Sequence, residues 1–580
     1  MKFSSLVLVV ASLIAVAAAD AEDLGVIAPF TLAGLKPNSK VVFPESQPKK
    51  LTALCFLGTE CPLAKLYAGR LQKLADEFDS VRFVGINSNV QDSLTDIQRY
   101  VEATGIEFEM AKDVSNVIAD KLAVTRTPEV IVCDNQRNII YRGRVDDQYL
   151  PGVSRNAATR DDLRIAMTQA LAGEKIEVSR TAPEGCLLGR VRSSTADATV
   201  TFSNQVVRVL QKNCIECHRE GEIGPFSMET YEETIGWADM MLEVIEDKRM
   251  PPWHADASVG TFANARSMPK QDITILKDWV AQGTPEGDRD DLPPPFKAID
   301  GWRLPKAPDI VVEMRKRPFR VPADGTIEYQ YFVVDPEFKE DKWITAAEVI
   351  PGNRSVVHHS IVFIRPPDGE RPRGVGWLAA YVPGQTPLTF ESGRARFVPK
   401  GSKLVFQQHY TPNGTVADDI TKIGMVFADE AEIQTELMTV IALDQSFEIQ
   451  PHDDSHIVDV FTHGLPREGK LLAVSPHMHY RGKSFEAFAT GADQSEQPLV
   501  KVPRYDFNWQ HRYEFTEPLP LSKFRQFKGM VEFDNSVDNP FNPDPNQFVS
   551  WGDQTWEEMA IAFFDIAVPR RDSDSFANST

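Results

Sequence analysis

The rhythm of apolar and polar positions changes along the chain and divides it. Over residues 25–176 short apolar runs alternate with stretches of helical periodicity. Residues 51–57 and 81–86 read as buried strands, 63–78 place apolar residues at helical spacing, and 129–132 and 139–142 supply two further strands. This alternation predicts a parallel or mixed sheet with flanking helices. Across 177–199 the pattern dissolves into interspersed Gly, Pro, Ser and Thr, a linker. Helical spacing returns at 201–212 and 273–281, so 200–290 is expected to be all-α. A charged, proline-rich stretch follows (Asp288-Arg289-Asp290-Asp291, then Leu292-Pro293-Pro294-Pro295), and 291–308 reads as a second linker. From 309 to 566 the texture is one of short strands such as 327–334, 360–364 and 403–408. Turn clusters such as Pro412-Asn413-Gly414 separate them, which predicts β-sandwiches. Residues 567–580 read as a polar, disordered tail.

Composition adds bounds. A chain of 580 residues is too long for one core. With 42% hydrophobic and 25% charged residues it is ordinarily globular, and a net charge of −21 argues against nucleic acid or an anionic membrane as partner. The opening Met1-Lys2-Phe3, an apolar run over 6–18 and Ala17-Ala18-Ala19 before Asp20 read as a secretory signal peptide of residues 1–19. A periplasmic or secreted, oxidising location follows, and no later stretch is apolar enough for a membrane span. All six cysteines, Cys55, Cys61, Cys133, Cys186, Cys214 and Cys217, precede residue 218, so no disulfide can staple the β region.

Three groups of residues carry candidate chemistry. The first is Gly58-Thr59-Glu60-Cys61-Pro62-Leu63-Ala64-Lys65, between a strand and a helix, where a helix N-terminus stabilises the Cys61 thiolate. With Arg126-Thr127-Pro128-Glu129-Val130 downstream, read as a cis-proline turn, residues 25–176 resemble the thioredoxin and peroxiredoxin-like redoxins. The second cysteine of a thioredoxin CxxC is here Ala64, and no threonine stands three before Cys61, so neither family cycle is matched. Two readings stay open: Cys61 forms a disulfide, with Cys186 as a resolving thiol, or it is an exposed, unused cysteine on a docking module. Cys55 and Cys133, inside apolar strands, are expected to be buried and inert.

The second is Asn213-Cys214-Ile215-Glu216-Cys217-His218. CxxCH is the attachment signature of c-type haem, with thioethers from Cys214 and Cys217 and His218 as axial ligand; a CxxC zinc site is the rival. Met250, in Met250-Pro251-Pro252-Trp253-His254, is the expected second axial ligand and His254 its competitor. Residues 200–290 thus resemble a class I cytochrome c. Met228, Met240 and Met241 read as core.

The third group comprises histidines with a methionine: Val357-His358-His359-Ser360, Gln407-Gln408-His409-Tyr410, Ser475-Pro476-His477-Met478-His479-Tyr480 and Trp556-Glu557-Glu558-Met559. Strand residues two apart share a face, so His477 and His479 can reach one ion. Imidazole with thioether favours copper. Adjacent His358 and His359 can share an ion only where the strand is bulged or has ended. His452, His456, His463 and His511 read as loop or structural residues. The order HH, HY, HxH, EEM resembles the copper type II ascorbate-dependent monooxygenases, the family of peptidylglycine alpha-hydroxylating and dopamine beta-monooxygenases. The resemblance implies two jelly-roll-like domains, 309–440 and 441–566, and two coppers. His358, His359 and His409 would hold one; His477, His479 and Met559 would hold the other, where O2 is activated. The peptide-hydroxylating members' substrate-anchoring arginine and tyrosine are here Ser475 and Phe563, so peptidyl-glycine is not the expected substrate.

The expected protein is multidomain: an α/β thioredoxin-like fold, an all-α cytochrome c domain and two all-β sandwiches. The expected function is hydroxylation of a C–H bond of a small molecule with O2. Electrons would come through the haem c domain from an ascorbate-like reductant or a redox protein. The rivals are a non-catalytic haem and copper electron-transfer protein, and a thiol–disulfide protein acting through Cys61.

Overall fold

The computed structural model describes residues 24–570; the expected signal peptide lies outside them, as do residues 571–580. The N-terminal unit is a seven-stranded sheet. Its centre, Val81–Asn87 between Leu51–Phe56 and Glu129–Asp134 on one side and Glu109–Lys112 on the other, carries parallel Leu51–Phe56/Val81–Asn87 and Val81–Asn87/Glu109–Lys112 pairs. The outer strands run antiparallel, so the sheet is mixed, as the alternation of strands and helices predicts. The helices Pro62–Glu77, Leu94–Thr104 and Asp162–Ala172 bury residues such as Leu63, Tyr67 and Leu71 in one apolar cluster. This is a thioredoxin-like α/β domain, and a large β-rich region forms the C-terminal half. No helix among the described residues is long and apolar enough to cross a membrane.

The first stretch read as a linker is not featureless: Cys186–Leu187 pairs antiparallel with Arg126–Thr127, beside the cis Thr127–Pro128 bond. The helical module that follows opens with a wide turn over Phe202–Val206, runs on as Val207–Asn213, and includes Ala238–Glu246 and Lys270–Ala281. Its Val206, Leu210, Trp237 and Trp279 share the apolar cluster of the thioredoxin-like sheet, so the two units pack as one body. Residues 251–266 leave that module. Trp253 and Phe262 insert into the core of the last β unit, and Ala263 and Thr261 exchange backbone hydrogen bonds with Glu514 and Thr516.

The β region is built on a four-stranded sheet, Gln330–Val334, Lys403–Tyr410, Val357–Arg365 and Trp377–Tyr381, facing a thirteen-stranded one. Val357, Val362 and Phe406 of the smaller sheet meet Ile344, Val349 and Ile423 of the larger in one core. The expected boundary at residue 440 falls inside strand Thr435–Asp444. That strand pairs in parallel with Arg394–Val398 of the first β unit and antiparallel with Ala560–Pro569 of the second, so one continuous sheet spans both. The expected disordered tail begins too early. Ala567, Val568 and Pro569 complete strand Ala560–Pro569, where Ala567 is buried and pairs with Leu437.

Candidate functional site

His358 and His359 begin the Val357–Arg365 strand, and His409 stands opposite on Lys403–Tyr410 with His359 as its register partner. The pairing slips between Val357 and His359, so a bulge at His358 turns both imidazoles to one side. The result is a convergence of ring nitrogens: Nδ1 of His358 lies 3.1 Å from Nδ1 of His359 and 3.1 Å from Nδ1 of His409. Nitrogen donors sharing one ion at about 2.0–2.1 Å stand at such separations. Burial, and for His359 and His409 the neighbouring imidazoles, holds all three far below the usual histidine range, His358 at about 4. They are neutral, lone-pair-bearing imidazoles at neutral pH, able to ligate a metal ion.

His477 ends the Lys470–His477 strand and His479 follows it. Alternation persists past the strand end: Met478 points into the core, fully buried, and the two imidazoles share the other side with centroids 5.3 Å apart. Both tautomers are fixed from behind. Nδ1 of His477 donates to Gln510 Oε1 at 2.6 Å, and Nδ1 of His479 donates to the Glu557 carbonyl at 3.1 Å, which leaves each Nε2 as a lone pair. Glu558, fully buried, accepts from the His479 and Arg481 amides at 2.8 and 2.6 Å. Desolvation pushes the Glu558 carboxyl up to about 7 against the pull of Arg481. Met559 is the next residue, so the segment that fixes His479 also carries the thioether.

The two groups face one another. The Tyr329 ring lies 4.9 Å from His409, 5.6 Å from His359 and 6.4 Å from His479. The Phe507 ring lies 5.4 Å from His358 and 6.1 Å from His479. A cavity of about 40 Å³ between the groups is lined by His359, His477, Ser475, Trp377, Arg396 and Phe563. Gln510, Tyr329 and Phe507 escaped sequence reasoning, because they belong to no motif and meet the histidines through non-local contacts; Glu558 stands in a motif, but its bonds to the His479 and Arg481 amides are equally non-local.

The buried Nε2 atoms of His358, His359 and His479 have no hydrogen-bond partner among the described residues. His479 Nε2, freed by the bond its Nδ1 makes, and the three converging Nδ1 atoms of the first group are a poor arrangement for protein alone and a good one for a metal ion. The donor set fits copper.

In the helical module, the His218 and Cys217 amides both donate to the Cys214 carbonyl, which gathers the three motif side chains on one turn. His218 Nδ1 donates to the Phe226 carbonyl at 3.3 Å, freeing Nε2, and burial lowers the ring to about 4. Cys214 and Cys217 are half-buried free thiols. These residues fit a covalently held haem. Met250 is half-buried and held through its amide to the Val244 carbonyl, whereas His254 faces His511 of the last β unit at 6.1 Å between centroids. Met228 and Met241 are buried in the core as expected. His511, expected to be a loop or structural residue, lies outside helix and strand and is buried, with its Nε2 unpartnered among the described residues.

Cys61 is fully buried at the N-terminus of Pro62–Glu77, which removes the reading of it as an exposed cysteine. Its Sγ lies 3.0 Å from the Thr127 carbonyl. Cys55 and Cys133 are buried, and desolvation raises both thiols, Cys133 to about 12.

Residues 27–142 match the AhpC/TSA family. The chain thus carries a redoxin domain of the thioredoxin-like fold in a larger, multidomain protein. Among solved structures, an uncharacterised conserved protein from Geobacillus kaustophilus is 24% identical, covering 30% of this chain and 93% of its own, with a TM-score of 0.28. A hypothetical protein from Sinorhizobium meliloti is 26% identical over the same shares, with a TM-score of 0.27. A secreted disulfide oxidoreductase of Mycobacterium tuberculosis, homologous to E. coli DsbE, is 23% identical and covers 19% of this chain and 79% of its own, with a TM-score of 0.18. No curated protein matches the chain.

Proposed function

We propose that the protein is a copper-dependent oxidoreductase that hydroxylates a small molecule with O2 and draws electrons through a haem c module. The observation that carries this reading is the convergence of His358, His359 and His409 through their Nδ1 atoms, opposite a second histidine pair fixed in a ligating tautomer. His358, His359 and His409 would hold one copper, and His477, His479 and Met559 the other. Copper in such sites supplies one-electron redox chemistry and O2 reduction, and the soft thioether favours the reduced ion. The chain's own residues do the rest. Gln510 and the Glu557 carbonyl hold the protons on the far side of the second imidazole pair. Tyr329 and Phe507 exclude water between the two groups. Trp377 and Phe563 give the cavity apolar walls, beside Arg396 and Arg512, which share Asp565.

Cys214, Cys217 and His218 would hold the haem, with Met250 or His254 as sixth ligand. Residues 251–264 tie this module to the last β unit, which also presents His511, next to Gln510. The test is reoxidation of the reduced haem by O2 in the full chain, with and without copper. Reoxidation that depends on copper supports the reading, and an unchanged rate after copper removal contradicts it.

A second reading draws on the AhpC/TSA match and the buried Cys61 at a helix N-terminus: a thiol–disulfide activity of the redoxin domain. It predicts that Cys61→Ser abolishes activity while His477→Ala does not.

A further inference from the structure

The thioredoxin-like domain lacks the second cysteine of its motif, since Ala64 fills that position and is fully buried. The chain returns a cysteine to the same place from outside the domain. Cys186 is the register partner of Thr127, whose carbonyl lies 3.0 Å from Cys61 Sγ. The approach is close enough to demand glycine just before it. Gly185 has φ +132°, and a Cβ there would stand 2.0 Å from the Thr127 carbonyl oxygen. The Arg126 guanidinium donates to the Gly185 carbonyl at 2.8 Å and holds the strand down from the other side.

The two cysteines are then neighbours across the Thr127 carbonyl. Burial by itself would raise Cys61, but the neighbouring Cys186 thiol, with help from the Ala64 and Cys186 amides, outweighs it and holds Cys61 below the usual thiol range. Cys186, beside that sulfur and itself buried, is pushed up. One thiol is thus set up as nucleophile and the other as proton-bearing partner.

We propose that Cys61 and Cys186 form a dithiol–disulfide couple that exchanges with low-molecular-weight disulfides under the control of the helical module that covers them. This rests on the redoxin reading of residues 27–142 and is independent of the copper reading. In the exchange the Cys61 thiolate attacks one sulfur of a dialkyl disulfide. The external S–S bond breaks, one alkyl thiolate leaves, and a mixed disulfide forms on Cys61. Cys186 gives up its proton to the departing thiolate and attacks Cys61 Sγ, expelling the second alkyl thiolate, which takes the proton released by Cys61. Two protein thiols are oxidised by two electrons, and one external disulfide becomes two thiols.

Control follows from what covers the pair. Helix Ala238–Glu246 lies over Cys186–Leu187: the Leu187 amide points at Met240 Sδ, 3.5 Å away. Glu243 bridges Arg126 and Arg249 at 2.6 and 2.8 Å. Cys61 is 0% and Cys186 9% exposed, so an external disulfide reaches them only when this helix lifts.

The test equilibrates the full chain with mixtures of oxidised and reduced glutathione, quenches with acid, alkylates and maps thiols by peptide mass spectrometry. The expected result is a single two-electron transition that ends in a Cys61–Cys186 linked peptide. With Cys186→Ser, Cys61 should stop at the glutathione adduct. Glu243→Gln, which loosens the cover and touches neither thiol, should speed the approach to equilibrium about tenfold. Cys61 oxidised without ever linking to Cys186 overturns the couple and leaves the redoxin reading standing. Neither thiol titrating overturns both, and an unchanged rate in Glu243→Gln overturns the control by the helix.

Discussion

At the scale of single residues, the account turns on which ring nitrogens are occupied. Gln510 contributes by holding the proton on His477 Nδ1, so Gln510→Leu should weaken copper at the second group alone, by about 10–100-fold, the usual effect of losing an outer-shell partner. A chelator competition titration measures this, with the first group as internal reference. His511 offers a pH test at a residue that is itself in neither histidine group. Burial, then the His254 and Arg266 charges, lower it to about 3, against the pull of the Pro252 carbonyl. A base whose folded pKa lies below its unfolded value of about 6.5 takes up more protons when unfolded. Stability is therefore fully present above pH ~6.5 and is lost as pH falls toward 3. His511→Phe should flatten the fall in Tm over that window, as thermal melts between pH 7 and 4 would report. The convergence of His358 and His359 with His409, and the shared side of His477 and His479, were legible because these histidines stand in short motifs with close spacing. Gln510, Tyr329 and Phe507 were not, because their roles depend on folded contacts that no local pattern encodes.

At the scale of elements, pairing and register do the positioning. A pair of neighbouring histidines on a strand implies a bulge, and the slip beside His358 supplies it. The same reasoning could not foresee that Cys186, in a stretch without hydrophobic rhythm, would pair with Thr127, because a two-residue strand leaves no periodic trace. Strand Thr435–Asp444 was equally hidden: a boundary drawn at 440 cuts it, and only the sheet order shows that it belongs to both β units. Where these strands meet, Asp565 of Ala560–Pro569 joins Arg396 at 3.1 Å to Arg512 at 2.7 Å. Asp565→Asn would leave two buried guanidinium groups without their shared carboxylate. A loss of about 3–5 kcal/mol is expected, read from the denaturant midpoint of the β region.

At the scale of the molecule, the units are not beads on a string. The thioredoxin-like sheet and the helical module share one apolar cluster, and residues 251–264 thread from the helical module into the last β unit. Trp253 is the anchor, with its ring 5.1 Å from Tyr513 and 5.8 Å from His511. Trp253→Ala should remove about 3–5 kcal/mol of packing at this junction and expose residues 251–266 to limited proteolysis, while leaving the thioredoxin-like core protected. Composition and rhythm gave the division into α/β, α and β parts. Which part leans on which was closed to the sequence, because the docking segment reads locally as a loop.

The central claim is that two groups of three residues each hold one copper. Copper per chain, with the EPR signal of the oxidised protein, should be measured for wild type, His409→Ala and His479→Ala after equal loading. The account predicts two coppers in wild type and one in each variant, with a different EPR component lost in each. Equal copper content in all three, or none in wild type, would contradict it.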